Sequence, residues 1–197
     1  NLEAHFYEYY SQNGQLCQFD SIPLTENGYG AASYAWYWNG SLFSTASDPY
    51  FYPTTVGQVE IKLVVENAGG ACRDTFVKVY EILPLPDPQV QVDGGPDFCE
   101  GDTVWLEVTG VTGSVVWLPY PQSGYRSYSV WSGDFYAQVT GANGCRVNSD
   151  TITLTQLPLP LANFSYLATG LTLQFTDLSP GALAWHWDFG DNGTPTQ

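Results

Sequence analysis

The sequence predicts an all-β protein built of tandem β-sandwich units, arranged as beads on a string. Apolar and polar residues alternate with a period of two through most of the chain, the pattern of half-buried strands. Turn strings interrupt that alternation every 8–12 residues or so, the spacing of a sandwich. The composition agrees: 14 Tyr, 7 Trp, 10 Phe and 20 Gly in 197 residues, with no Met. A long helical protein would instead be rich in Ala, Glu, Lys and Leu.

The elements follow in chain order. Val59, Ile61, Leu63 and Val65 share one face of a strand. Thr75, Val77 and Val79 alternate with Phe76, Lys78 and Tyr80. Val104, Leu106 and Val108 alternate with Trp105, Glu107 and Thr109, and Phe135, Ala137 and Val139 with Tyr136, Gln138 and Thr140. Asn13-Gly14, Asn27-Gly28, Ala68-Gly69-Gly70, Ser132-Gly133-Asp134 and Asn143-Gly144 supply the turns.

Charge excludes several classes. Five Lys plus Arg stand against 20 Asp plus Glu, a net charge of -15. Five cations cannot build the cationic face that nucleic acid requires. The excess carboxylates read as scattered surface charge that keeps copies apart. A disordered acidic chain would lack the aromatics. No apolar run approaches the ~18 residues of a membrane span.

Two near-identical strings divide the chain. Leu83-Pro84-Leu85-Pro86-Asp87-Pro88 is one and Leu157-Pro158-Leu159-Pro160 the other. Alternate prolines remove donors and fix φ, so neither string lies inside a sheet. The expected units are 1–83, 84–157 and 158–197. Cys17, Cys72, Cys99 and Cys145 allow three pairings. No CxxC spacing suggests zinc, and an even count in a turn-rich chain suggests disulfides and an oxidising compartment. Two cysteines fall in each of the first two units. The expected bonds are therefore Cys17–Cys72 and Cys99–Cys145, each closing a loop of about 50 residues. Cys17 shares a face with Phe19 and is expected to point inward.

Segments one and three repeat each other. Leu16-Cys17-Gln18-Phe19 parallels Thr172-Leu173-Gln174-Phe175, and Ala35-Trp36-Tyr37-Trp38 parallels Ala184-Trp185-His186-Trp187. The middle segment is expected to be a different unit.

Trp185-His186-Trp187-Asp188-Phe189-Gly190-Asp191-Asn192-Gly193 resembles the tryptophan–Asp–Phe–Gly–Asp signature of PKD domains, with Asn192 before the last glycine. Asp48-Pro49-Tyr50-Phe51-Tyr52-Pro53, followed by Gly57 and the Val59–Val65 strand, is similar to the second half of such a domain. Segment one departs from the signature itself, since Asn39-Gly40 follows Trp38. The middle segment, with Phe98-Cys99-Glu100-Gly101-Asp102-Thr103-Val104 and Asn143-Gly144-Cys145, resembles the Ig-like repeats beside PKD domains in large secreted surface proteins of Bacteroidetes. The resemblance implies export, often by the type IX route, at times linked to gliding or adhesion. It implies a structural or adhesive segment of a cell-surface or filament-forming protein, located outside the cell. Its partners would be neighbouring domains or subunits, with polysaccharide as a further one. An accessory spacer or carbohydrate-contacting module of a secreted hydrolase is the alternative.

Chemistry-bearing motifs are sparse. There is no Gly-x-Ser-x-Gly elbow and no His-Glu-x-x-His, and the two histidines, His5 and His186, are isolated. No catalytic residue and no cofactor are assigned. Asp188, Asp191 and Asn192 offer oxygen ligands of the kind calcium takes, but are read as a turn that bonds its own backbone. Trp36, Trp38, Trp185, Trp187 and Phe189 are read as core, and Tyr7, Tyr9, Tyr37 and Tyr120–Tyr125 as exposed candidates for a sugar or partner surface. Asn39-Gly40-Ser41, Asn163-Phe164-Ser165 and Asn192-Gly193-Thr194 fit the N-glycan acceptor pattern. Ser21, Thr103 and Thr151 sit in Asp-Ser/Thr-aliphatic strings that resemble the O-glycan acceptor of Bacteroidetes.

Segment three is short. From Trp38 to Leu83 the chain runs 45 residues, whereas ten follow Trp187. The rings of segment three should therefore lack their covering strands. The expectation is that the polypeptide continues, or that a neighbouring subunit donates the strands.

Overall fold

The structure, a computed structural model, describes residues 1–9, 11 and 13–190. The first strands are β1 (Phe6–Tyr7), β2 (Gln15–Cys17), β3 (Ile22–Pro23), β4 (Thr25–Glu26), β5 (Ser33–Trp38), β6 (Ser41–Ser44), β7 (Tyr50–Phe51), β8 (Gly57–Glu66) and β9 (Arg73–Leu83). Next come β10 (Gln89–Val92), β11 (Asp97–Cys99), β12 (Val104–Thr109), β13 (Gly113–Leu118), β14 (Gln122–Ser123), β15 (Arg126–Ser129), β16 (Gly133–Gly141), β17 (Arg146–Asn148) and β18 (Ile152–Leu157). A hairpin of β19 (Phe164–Thr169) and β20 (Thr172–Asp177) follows. Among the described residues no helix is long and apolar enough to cross a membrane.

The first sandwich has a five-stranded sheet in the order β2-β9-β8-β5-β6, with β2 parallel to β9. The short pairs β1-β4 and β3-β7 make up the remaining strands. The second sandwich repeats that order as β11-β18-β16-β13-β14, with β11 parallel to β18, alongside β10-β12-β15. This is the strand order of an Ig-like sandwich, with a short parallel edge strand on its last strand. The larger sheets of the first two segments thus share one hydrogen-bond order, while their smaller sheets and residue strings differ.

Alternation predicts the inward faces well. Val59, Ile61, Leu63 and Val65 are at most 2% exposed, and Val104, Leu106 and Val108 at most 4%. On β9 the inward set is Phe76, Lys78 and Tyr80, while Val77 and Val79 face out. Each sandwich buries one tryptophan on the fourth strand of that shared order, β5 in the first and β13 in the second. Trp36 Nε1 donates to Ala46 O at 2.8 Å, and Trp117 Nε1 donates to Gly124 O at 3.0 Å. Satisfying the indole N–H is the condition for burying so large a ring.

The β19–β20 hairpin is different. Its six-residue strands pair in full register, yet every residue of β19 is exposed. Ala184–Phe189, the counterpart of β5, is not a strand. β5 is held by β8 on one side and β6 on the other, and no strand pairs with 184–189 among the described residues. A strand exists only with a hydrogen-bonding neighbour.

Candidate functional site

The cysteines are the first correction to the sequence reading. Cys17 bonds Cys145, at Cα–Cα 5.6 Å, across 128 residues of chain, and Cys72 and Cys99 are exposed thiols. The expected bonds Cys17–Cys72 and Cys99–Cys145 do not form. Cys17 lies beside Leu83 at the end of β9, whereas Cys72 precedes Arg73 at its start. Those 11 residues of strand span about 35 Å. A disulfide needs Cα atoms within roughly 7 Å. Cys99 and Cys145 are separated in the same way. Cys99 lies beside Leu157, whereas Cys145 sits in the turn beyond Gly141, at the far end of the nine-residue β16. The orientation of Cys17 is corrected too. Leu16 is the buried residue of β2, and Phe19, at φ 64° in a left-handed turn, is 61% exposed. In a strand the neighbour of an inward residue must face away, and Cys17 faces the second sandwich.

Around this bridge the two sandwiches meet. Cys145 is fully buried and its N–H donates to Asn143 Oδ1 at 3.1 Å. The other end of that carboxamide, Asn143 Nδ2, donates to Pro84 O at 2.8 Å. A Cβ added at Gly141 would lie 3.0 Å from the Pro86 ring, so a glycine here lets linker and hairpin close together. The linker is thus held by a covalent bond, a hydrogen bond and a close packing contact.

A second candidate lies on the second sandwich. Trp117, Tyr120, Tyr128, Trp131 and Phe135, with Gln122, Ser127, Ser129 and Val130, line a concavity of about 330 Å³. The Leu118–Pro119 peptide, between the lining residues Trp117 and Tyr120, is cis. Tyr120 and Trp131 are 64% and 66% exposed. Ser127 Oγ donates to Gln122 Oε1 at 2.9 Å, and Ser129 Oγ donates to the Trp131 carbonyl at 2.9 Å. Next to it Trp105 and Tyr128 pair at 5.4 Å, with the Arg126 guanidinium 5.2 Å from the Trp105 ring. Tyr120 and Tyr125 were in the sequence reading; Trp131, Trp105 and Tyr128 were missed. Trp105 was findable, because it alternates with the inward Val104 and Leu106.

The remaining predicted residues are dispersed. Ser21, Thr103 and Thr151 are exposed, each one residue before a strand. Tyr9 is exposed, but Tyr7 packs on it at 5.0 Å, and Tyr37 lies under Lys62 at 4.7 Å, so both are half-buried. His5 Nδ1 meets Asn27 Oδ1 at 2.6 Å and its ring lies 4.6 Å from Phe76, a packed surface histidine. His186 is exposed. Asp188 Oδ1 accepts the Gly190 N–H at 2.8 Å, as a turn carboxylate does. Asp191, Asn192 and the Asn192-Gly193-Thr194 string lie outside the described residues. Trp36 is core and Trp38 packs against it, whereas Trp185 and Phe189 are 56% and 51% exposed, contrary to the core reading.

A partly buried ion pair lies in the first sandwich. Lys78 Nζ meets Glu8 Oε1 at 2.9 Å, where the Glu8 side chain is fully enclosed. Ser11 donates to the same carboxylate through N–H and hydroxyl, both at 2.7 Å. Burial alone would raise the Glu8 carboxyl, but the Ser11 hydrogen bonds and the Lys78 charge outweigh it and hold the group below the usual carboxylate range. Enclosure, with Glu8 alongside, pushes the Tyr80 hydroxyl far up.

No family model and no curated protein matches the chain. Solved structures do. A mixed-linkage glucan utilization locus protein of Bacteroides ovatus, SGBP-B, solved with a mixed-linkage heptasaccharide, is 17% identical at TM-score 0.31, over 77% of this chain and 47% of that one. This chain thus spans about half of that protein's length. The fibronectin(III)-like modules of Clostridium thermocellum CbhA are 11% identical at TM-score 0.35, over 72% and 89%. Murine CEACAM1b is 15% identical at TM-score 0.32, over 79% and 98%. At such scores these likenesses bear on neither family nor activity.

Proposed function

We propose that this chain is a non-catalytic, structural or adhesive segment of an extracellular bacterial surface or filament protein. On this reading it is divided into units at 1–83, 84–157 and 158–197, the first and third of PKD type. The observation that carries it is the junction. A bridge between the end of one sandwich and the first-linker face of the next has no use inside either core. It fixes one unit on another, which is the task of a load-bearing or spacing segment. A persistent disulfide also fits an oxidising, extracellular address. Type IX export and a link to gliding belong to the same proposal and rest on the resemblance. The test is to raise antibodies to residues 1–157 and apply them to intact source cells, and then to delete the segment. Surface labelling, with loss of attachment or filament integrity, is the expected result. Labelling only after permeabilisation would overturn it.

The aromatic concavity favours one second reading, a carbohydrate-contacting accessory module of a secreted hydrolase. Exposed rings beside hydroxyl and amide groups suit the apolar faces and hydroxyls of a sugar chain. Titration with soluble β-glucans, followed by tryptophan fluorescence, tests it. The expected saturable change should be lost in W131A, and no change with any glucan would dismiss the reading.

A further inference from the structure

The parts of the junction occur twice. On its first side, Gln18 N–H donates to Leu83 O at 3.0 Å, and Asp20 N–H closes a turn on Cys17 O at 3.3 Å. The second sandwich repeats both bonds. Glu100 N–H donates to Leu157 O at 2.8 Å, and Asp102 N–H to Cys99 O at 3.0 Å. Each end then runs into the same Leu-Pro-Leu-Pro string. Cys99 is the positional equivalent of Cys17.

The receiving side is also duplicated. In the Cys145 hairpin, Gly141 N–H donates to Cys145 O at 2.8 Å and Gly144 N–H to Gly141 O at 2.9 Å. In the Cys72 hairpin, Asn67 N–H donates to Cys72 O at 3.2 Å and Gly70 N–H to Asn67 O at 2.9 Å. Each cysteine N–H is taken by an asparagine Oδ1, from Asn143 in one hairpin and Asn67 in the other. Cys72 is therefore the equivalent of Cys145. One edge-strand cysteine and one hairpin cysteine have met. The other edge-strand cysteine and the other hairpin cysteine are exposed, at the two ends that face away from the formed junction.

We propose that Cys72 and Cys99 are the open halves of the same inter-unit staple, a step that rests on the reading of the chain as a segment of tandem units. Cys99 takes the hairpin cysteine of a sandwich docked on the exit end of the second sandwich. Cys72 takes the edge-strand cysteine of a sandwich docked on its own hairpin. Residues 158–197 contain no cysteine, so the thiol that completes Cys99 comes from outside that stretch. It belongs either to Cys72 of a second copy or to an adjoining unit of the same plan. Each bridge forms by exchange with the disulfide of a thiol oxidant. One cysteine thiolate attacks the oxidant, whose first sulfur leaves as a thiol, and a mixed disulfide forms. The partner thiolate then displaces the second. Two protons and two electrons pass from the cysteine pair to the oxidant disulfide, which ends as two thiols.

Mapping the protein isolated from its own source tests this. Free thiols are alkylated at collection and the protein is digested without reduction. Cys72 and Cys99 should be at least tenfold less labelled than after reduction, each in a cross-linked peptide that joins an edge-strand cysteine to a hairpin cysteine. A Cys99–Cys72 peptide identifies a second copy as the source, and a peptide from outside this sequence identifies an adjoining unit. Full labelling of Cys72 and Cys99, or symmetric Cys72–Cys72 and Cys99–Cys99 links, overturns the proposal. The Cys17–Cys145 peptide reports separately. If it is present while the other two are labelled, the tandem reading stands and only the extended staple fails. If Cys17 and Cys145 are labelled as well, the tandem reading fails with it.

Discussion

Two nearly identical strings sit in opposite environments. Ala35-Trp36-Tyr37-Trp38 is a strand with neighbours on both sides, and Trp36 is fully buried against Phe6 at a ring separation of 5.0 Å. Ala184-Trp185-His186-Trp187 is not a strand, and Trp185 is 56% exposed. Its companion Trp187 still packs on Phe164, Phe175 and Phe189, at ring separations of 5.5, 5.6 and 6.2 Å. The aromatic cluster forms from local chain alone, but its cover does not. Burial of a ring is a property of the strands laid across it, not of the string that carries it.

Removing the matched tryptophans should have the largest effect. Trp36→Ala should cost about 3–5 kcal/mol, through the cavity and the orphaned Ala46 carbonyl. Trp185→Ala should change stability by less than about 0.5 kcal/mol. Urea unfolding of both variants measures the difference, and equal costs would mean that the terminal cluster is covered in solution.

The first sandwich also holds an enclosed carboxylate, Glu8, paired with Lys78. Lys78→Ala should cost about 3 kcal/mol, since Glu8 is left enclosed without its cation. Glu8→Gln should cost less, because Lys78 is partly exposed and can turn to water. Chemical denaturation of the two variants ranks them.

The bridge makes a third test. Cys145→Ser should lower the stability of the second sandwich by roughly 2–4 kcal/mol. A reductant should reproduce that loss in the unaltered protein and have no effect on the variant. Thermal melts with and without dithiothreitol check both statements.

Acid provides a subtler probe. The folded Glu8 carboxyl lies below its unfolded value, so its stabilisation is fully present above about pH 4.3 and is lost as pH falls through the depressed folded value. Asp74, whose carboxylate accepts the Ala4 N–H at 2.8 Å, is depressed as well and acts in the same direction. Melting temperature should fall between pH 5 and pH 3, less steeply in Glu8→Gln. The smallest effect expected is that of Asn143→Ala, about 1–2 kcal/mol for losing the bond to Pro84 O and the one accepted from the Cys145 N–H. Faster amide exchange across the Cys145 hairpin would report it.

Much of the fold was legible in the chain. The period of two put Val59, Ile61, Leu63, Val65, Leu106 and Ala137 on inward faces, because alternation along a strand is fixed by the pleat and needs no partner to be read. The alternate prolines of 84–88 and 158–160 marked stretches that cannot join a ladder, because φ and the missing N–H are properties of the residue itself. Only the tertiary structure decided the rest. Cys17 could not be matched with Cys145 from the sequence, because the choice depends on which ends of β9 and β16 each cysteine occupies, and on the linker that brings Pro84 and Pro86 against the hairpin of Asn143. The aromatic concavity was equally hidden, since Tyr120, Tyr128 and Trp131 come from successive loops and edges that only folding brings to one rim. Alternation and backbone restriction act over a few residues and are written in the string. Pairing between ends and cover over a ring depend on distances across the whole fold, which no local pattern encodes.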